Sequence, residues 1–228
     1  MIIITGASGG LGTHIIPTLK ENFEIIGTYC SHKPETSDNK VSYHKLDVCN
    51  EKQVNDFVEK IYKRLDKVVF LSLVGISIDS LGHKMTEDTW EHVLNTNLKG
   101  AFLMSRALLP IMRQQEWGRI IYVSSIVGQM GIAGTCAYSA SKAGLFGLTR
   151  TLAAENAAKN ITVNTLSLGY FDVGMINVIK PDMRERIKEK IPMRRFGNHN
   201  ALEAGIKFLI DCDYITGTTI NINGGIMY

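Results

Sequence analysis

The sequence lacks every pattern by which cysteine signals a staple or a metal. Its four cysteines, Cys30, Cys49, Cys136 and Cys212, form no Cys-x-x-Cys pair and have no histidine at zinc-finger spacing. Scattered thiols of this kind fit a reducing, cytoplasmic setting. His14, His44, His83, His92 and His199 form no metal or nucleophile pattern either, and no metal is expected. No apolar run approaches the roughly 18 to 20 residues of a membrane span. MIIITGASGG reaches glycine after five residues, too soon for a signal peptide. A membrane partner is therefore not expected. Charge of one sign is also lacking. Against 25 Lys and Arg stand 22 Asp and Glu, a net +3, well below what a dedicated nucleic-acid binder shows. That balance still admits an acidic small ligand or a phosphorylated cofactor. No repeat, low-complexity tract or linker interrupts the 228 residues, so a single domain over 1–228 is expected.

What is present begins at once. Residues 2–5, IIIT, are a β-branched run apolar on both faces, which suits a buried parallel strand. The run feeds Gly6-Ala7-Ser8-Gly9-Gly10-Leu11-Gly12, after which Leu11, Ile15, Ile16 and Leu19 recur at helical spacing. Strand, glycine loop and helix together make a phosphate site. Glycine lets the backbone approach a pyrophosphate, and the helix N-terminus offers free N–H groups at a positive dipole end. Taken alone, the same glycines would also serve a tight turn without ligand. Residues 24–30, EIIGTYC, read as a second strand. An acidic residue closing it would bind the ribose 2′-hydroxyl of NAD. Cys30-Ser31-His32-Lys33 stand there instead. With no carboxylate to repel a 2′-phosphate, NADP(H) is expected over NAD(H).

The alternation continues. Residues 41–48 read as a third strand ending in Asp47-Val48, and 51–65 as an amphipathic helix with Val54, Phe57, Val58, Ile61 and Leu65 on one stripe. Residues 67–75 read as a buried fourth strand ending at Gly75. This pattern predicts a doubly wound, largely parallel sheet. Thr86 starts a helix expected to run to about Gln115, with a bend near Pro110. Residues 119–125 form the fifth strand and deliver Ser124 and Ser125 at its carboxyl end. A second long helix spans 135–159, strand six 161–169, a short helix 201–210 and strand seven 218–225. Ligands of open α/β sheets bind outside the carboxyl ends of strands. The serines, the glycine loop, Asp47 and Gly75 therefore share one edge.

The helix over 135–159 carries Tyr138 and Lys142, four residues apart and so on one face. The ammonium is expected to lower the phenol's pKa from about 10 toward neutral, making a usable acid. A serine hydroxyl nearby would hold a carbonyl oxygen while the proton moves. Ser124 reads as structural. The helix's outer face, with Ala143, Gly144, Phe146 and Leu148, predicts contact with a second subunit, in a homodimer or homotetramer. Residues 170–200, with the charged helix PDMRERIKEK, lie where a substrate lid would be. Met175, Met183 and Met193 are candidates to line an adaptable apolar pocket there.

Taken together the motifs resemble the short-chain dehydrogenase/reductase family over essentially the whole chain. The residues that carry the resemblance are Thr5-Gly6-Ala7-Ser8-Gly9-Gly10-Leu11-Gly12, Asp47-Val48, Asn97, Ser125 thirteen residues before Tyr138, and Tyr138-Ser139-Ala140-Ser141-Lys142. Within the family, IPMRRFGN and YITGTTININGGIMY are most similar to bacterial 3-oxoacyl-[acyl-carrier-protein] reductases. The resemblance implies a Rossmann-type sheet of seven mostly parallel strands with helices on both faces. It also implies hydride transfer from NADPH to a carbonyl carbon. Tyr138 would be the general acid, Lys142 would lower its pKa and bind the nicotinamide ribose, Ser125 would bond the carbonyl oxygen, and Asn97 would hold a relay water. The cofactor would lie on Gly6 to Gly12, Cys30, Ser31, Asp47, Val48, Gly75, Tyr138, Lys142, Gly169 and Phe171.

The implied substrate is a 3-oxoacyl thioester of fatty acid biosynthesis, free or carrier-bound. Lys159 is a candidate contact for an acidic carrier, whereas Glu116 stands near a position that is often basic. A reductase of the same chemistry acting on a sugar, a polyketide or a secondary alcohol is the alternative, and a non-enzymatic dinucleotide-binding regulator a further one. Two family signatures differ. Ser72-Leu73-Val74-Gly75 replaces Asn-Asn-Ala-Gly, removing a polar turn that supports the sheet end. Leu168-Gly169 replaces Pro-Gly, and Val173 replaces a threonine that contacts the nicotinamide.

Overall fold

The β-branched N-terminal run sits at the middle of the molecule because both its faces are apolar. In the computed structural model, which describes residues 1–35, 38–174, 176 and 179–227, Ile2–Thr5 (β1) is buried along its whole length. It pairs in parallel with Ile25–Tyr29 (β2) on one side and Val69–Ser72 (β4) on the other. Val41–Lys45 (β3) closes one edge against β2. On the other side follow Gly118–Ser125 (β5), Ile161–Leu168 (β6) and Thr219–Ile222 (β7). The sheet has seven parallel strands in the order β3-β2-β1-β4-β5-β6-β7, as the strand and helix alternation predicts.

Successive strand residues point to opposite faces, so one sheet needs two helical covers. Ile3, Ile26, Phe70, Ile120 and Tyr122 meet Glu51–Ile61 (α2), Gly100–Gln115 (α4) and Cys136–Asn156 (α5), through Phe57, Leu103, Met112 and Leu145 among others. Ile2, Ile4, Leu71, Ile121 and Val123 meet Gly10–Leu19 (α1) and His199–Asp211 (α7), through Ile15, Leu19, Leu202 and Ile206. No helix among the described residues is long and apolar enough to cross a membrane.

Several boundaries differ from the sequence pattern. The helix expected over 86–115 is two helices, Glu87–Leu94 (here α3) and α4, joined by a π-helical turn at Asn95–Lys99. Pro110, expected to bend the chain, lies inside α4, which continues to Gln115. β3 stops at Lys45, leaving Asp47-Val48 in the turn before α2, where Asn50 caps the helix by accepting from Gln53 N–H. α2 gives way at Tyr62–Arg64 to a 3₁₀ turn, and β7 ends at Ile222. Pro181–Lys190 (α6) lies in the segment expected to be a lid, which has a small apolar cluster of its own formed by Ile176, Ile191 and Phe196. Met175 lies outside the described residues. Met183 and Met193 are 46% and 56% exposed and do not line the cleft, where Ile176 and Ile179 stand instead.

Phe70 is fully buried at the sheet's centre, registered between Ile3 and Ile120 and edge-on to Tyr122 at 6.4 Å. Phe70→Ala should cost about 3–5 kcal/mol in urea unfolding; a loss under about 1 kcal/mol would show that the site collapses around the gap.

Candidate active site

The glycine loop is shaped by contacts that admit no side chain. Gly6 has φ +74°, and a Cβ there would stand 2.9 Å from the Val74 nitrogen. On Gly12 a Cβ would stand 2.5 Å from the Ala7 carbonyl oxygen. α1 begins at Gly10 after an extended Gly9, with no side-chain cap and no acidic residue in its first turn. Its leading N–H groups are thus not taken by a side chain, and an anion is the partner that fits them. The residues present fit a dinucleotide pyrophosphate. A Cβ on Gly10 would come within 2.5 Å of the Gly174 Cα, so the segment after β6 crosses this loop and forms the cleft's roof.

β5 and α5 bring the second group together. Ser125 closes β5, with its hydroxyl beside the Tyr138 phenol and accepting from Val127 N–H at 3.4 Å. Ser124, one residue earlier, faces the other way. It is buried and donates to the Lys142 carbonyl at 2.9 Å, the structural role its sequence position indicates. Lys142 is 4% exposed, and its Nζ donates to the Val123 carbonyl at 2.9 Å. The ammonium lies 5.7 Å from the Tyr138 ring centroid.

The expected fall in the phenol's pKa is not what this arrangement produces. Burial pushes Tyr138 up to about 12, and the Ser125 hydroxyl pulls the other way. Burial also holds Lys142 down at about 8. The reason is that Lys142 spends its near contact on a main-chain carbonyl, while an apolar wall of Ile76, Val93, Ala137 and Val127 strips water from the phenol. At neutral pH the phenol holds its proton and the ammonium its charge.

Asn97, in the π-turn, is 1% exposed and fully bonded. Its Oδ1 accepts from Ile76 N–H at 2.8 Å, and its Nδ2 donates to the Ile76 carbonyl and to Ser141 Oγ, both at 2.9 Å. This anchors the loop after β4, whose usual polar turn is missing. Leu73 packs into the core on the α1 side and Val74 into the core on the α2 side. A Cβ on Gly75 would stand 3.1 Å from Lys142 Nζ, so the loop lies directly against the ammonium.

One cleft gathers most of the residues singled out from the sequence: Gly6, Gly9, Gly10, Leu11, Gly12, Gly75, Ser125, Tyr138, Lys142, Gly169 and Phe171. Ala7 does not line it, being buried with its N–H on the Thr28 carbonyl at 3.0 Å, and Ser8 is half-buried beside it. Cys30 and Ser31 are exposed just past β2. Asp47 accepts from Cys49 N–H at 2.9 Å, and Val48 is buried against Gly100. Lys159 bridges Glu116 at 2.7 Å instead of standing free. Sequence reasoning missed the cleft walls at Leu73, Val127, Tyr170, Ile176 and Ile179, for which an apolar residue in a loop gave no distinguishing signal.

Comparison with known proteins agrees with this geometry. The family model for short chain dehydrogenases matches residues 1–184. Nodulation protein G of Azospirillum brasilense is 36% identical over 99% of this chain and 97% of its own length. Acetoacetyl-CoA reductase of Shinella zoogloeoides is 37% identical over 98% and 96%. The 3-oxoacyl-[acyl-carrier-protein] reductase of Salmonella typhimurium is 34% identical over 98% and 95%. The NADP-bound structure of ElxO superposes with a TM-score of 0.92 at 26% identity, covering 99% of this chain and 97% of that one. On these matches the chain belongs to the short-chain dehydrogenase/reductase family of oxidoreductases.

Proposed function

We propose that this oxidoreductase reduces a 3-oxoacyl thioester to the 3-hydroxyacyl thioester and prefers NADP(H) to NAD(H). The observation that carries the reading is the convergence of Ser125, Tyr138 and Lys142 on the cleft that also holds the glycine loop. A bound nicotinamide dinucleotide supplies the hydride. Tyr138 delivers the proton to the carbonyl oxygen, and its phenol, held protonated by burial, is in the state reduction requires. Ser125 donates a hydrogen bond to the same oxygen. Lys142 keeps a positive charge beside the phenol, which stabilises the phenolate left when the proton departs, and it binds the nicotinamide ribose. Asn97, its side-chain amide taken by Ile76 and Ser141, holds the Ile76 loop in place and leaves no amide hydrogen for the relay water expected of it.

The thioester is favoured because two of the relatives are named as acetoacetyl-CoA and 3-oxoacyl-[acyl-carrier-protein] reductases. Leu73-Val74 and Val173, which depart from the family pattern, favour a second reading in which the ketone is of another class. The NADP preference rests on exposed Ser31, His32 and Lys33 after β2, with no carboxylate there. Cys30 and Ser31 face the adenosine ribose in this reading, and Asp47 and Val48 the adenine. One domain over 1–228 does this work, with 170–200 as its lid. Exposed Ala143 and Gly147 on α5, next to half-buried Phe146, support a homodimer or homotetramer. Free cysteines support a cytoplasmic setting.

Purified protein should oxidise NADPH with acetoacetyl thioesters, and Tyr138→Phe should lower kcat by about 10²–10⁴-fold. No turnover of any 3-oxoacyl thioester, with turnover of another ketone, would select the second reading. Fluorescence titration should give a lower Kd for NADPH than for NADH; equal constants would refute the argument from Ser31 and His32. Burial holds Lys142 at about 8, so its charge is present below that pH and lost above it. For reduction, kcat/KM should therefore fall as pH rises through about 8, and a profile flat to about pH 10 would contradict the role given to the ammonium.

A further inference from the structure

Ser141 lies inside the Tyr138–Lys142 motif but does not line the cleft. It is fully buried. Its hydroxyl donates to the Tyr138 carbonyl at 2.7 Å and accepts from Asn97 Nδ2 at 2.9 Å. A serine in a helix commonly back-bonds to its own backbone, and that first contact alone would be unremarked. The second contact reaches a residue 44 positions away. In an α-helix the Tyr138 carbonyl also takes the Lys142 N–H, so one oxygen joins Tyr138, Ser141 and the start of Lys142.

The far end of the connection matters as much. Asn97 grips Ile76 at both N–H and carbonyl. Ile76 packs in the small cluster with Tyr138, and Gly75 lies against Lys142 Nζ. The bonds thus leave the Tyr138 backbone, pass through Ser141 and Asn97, and return to the loop that walls in the Tyr138 side chain and the Lys142 ammonium. We propose that Ser141 is a positioning residue, fixing the tyrosine main chain against this loop so that the phenol is held at the height where it delivers its proton. Resting on the ketone-reduction reading above, the role needs no contact with substrate. Proton transfer demands hydrogen-bond reach, and misplacement by ~1 Å can cost about 10²-fold.

The test uses a matched control. Ser105 is equally buried, donates to the Ala101 carbonyl at 2.8 Å and shares a hydrogen bond of 2.5 Å with the Tyr122 hydroxyl, away from the cleft. Ser141→Ala and Ser105→Ala each remove a helix serine hydroxyl with two partners. Both should lower Tm. Ser141→Ala alone should lower kcat by roughly tenfold or more, with the ketone KM and the NADPH Kd within about twofold of the parent. It should also shift the Ile76 amide resonance, which Ser105→Ala leaves in place. Ser141→Cys, which keeps the size and weakens the donor, should fall between, and it is read by the same criteria if the alanine variant does not fold. A kcat within about twofold of the parent, an unmoved Ile76 amide, or an equal kcat loss in Ser105→Ala overturns the proposal. A parent protein that reduces no ketone overturns the functional reading itself, and the positioning role with it.

Discussion

The Lys142 ammonium is buried beneath the cleft with the Val123 carbonyl as its hydrogen-bond partner. Moving its pKa from 10.5 to about 8 corresponds to roughly 3 kcal/mol of lost solvation. One carbonyl bond to a charged group returns about 1.5–3 kcal/mol of that. The surroundings must therefore hold the lysine in place. Ser124 ties its carbonyl to β5. Gly128 lets the turn after β5 press on α5, since a Cβ there would stand 2.8 Å from the Lys142 carbonyl carbon. Gly75 admits the loop after β4 beside the ammonium. The end of β5 with the turn that follows it, and the loop after β4, are thus fitted around one residue.

The same burial sets the chemistry of Tyr138. Stripping water from a phenol raises its pKa, and a cation engaged elsewhere offsets little of this. The protein consequently holds a protonated acid beside a retained positive charge, a pairing suited to giving a proton rather than taking one. Apolar packing does the supporting work that a polar turn would do. Leu73 and Val74 enter opposite cores, and Asn97 secures the loop's backbone at Ile76.

Sheet, helix order and cleft position were legible because they follow from local pattern. IIIT and KVVFLSLVG are apolar on both faces, the α2 stripe repeats at helical spacing, and Tyr138 and Lys142 are four apart. What was hidden depends on partners distant in sequence. Nothing in NTNLK announces a π-turn, and Pro110, where a bend was expected, lies inside a continuous α4. The pKa of Tyr138 could not be read from its spacing to Lys142, because Val123, on β5, decides where the ammonium points. The partner of Ser141, Asn97, lies 44 positions away and on another helical segment, where no local pattern points to it. Lys159 looked free until folding brought Glu116 to it.

Since so much is fitted to the buried ammonium, its titration in the free protein is the most direct check. Carbon-13 labelling at the lysine Cε, with the Lys142 resonance assigned by its loss in Lys142→Arg, would follow the charge by NMR across pH. A midpoint near about 8 is predicted, and a midpoint at the ordinary 10.5 would contradict the account.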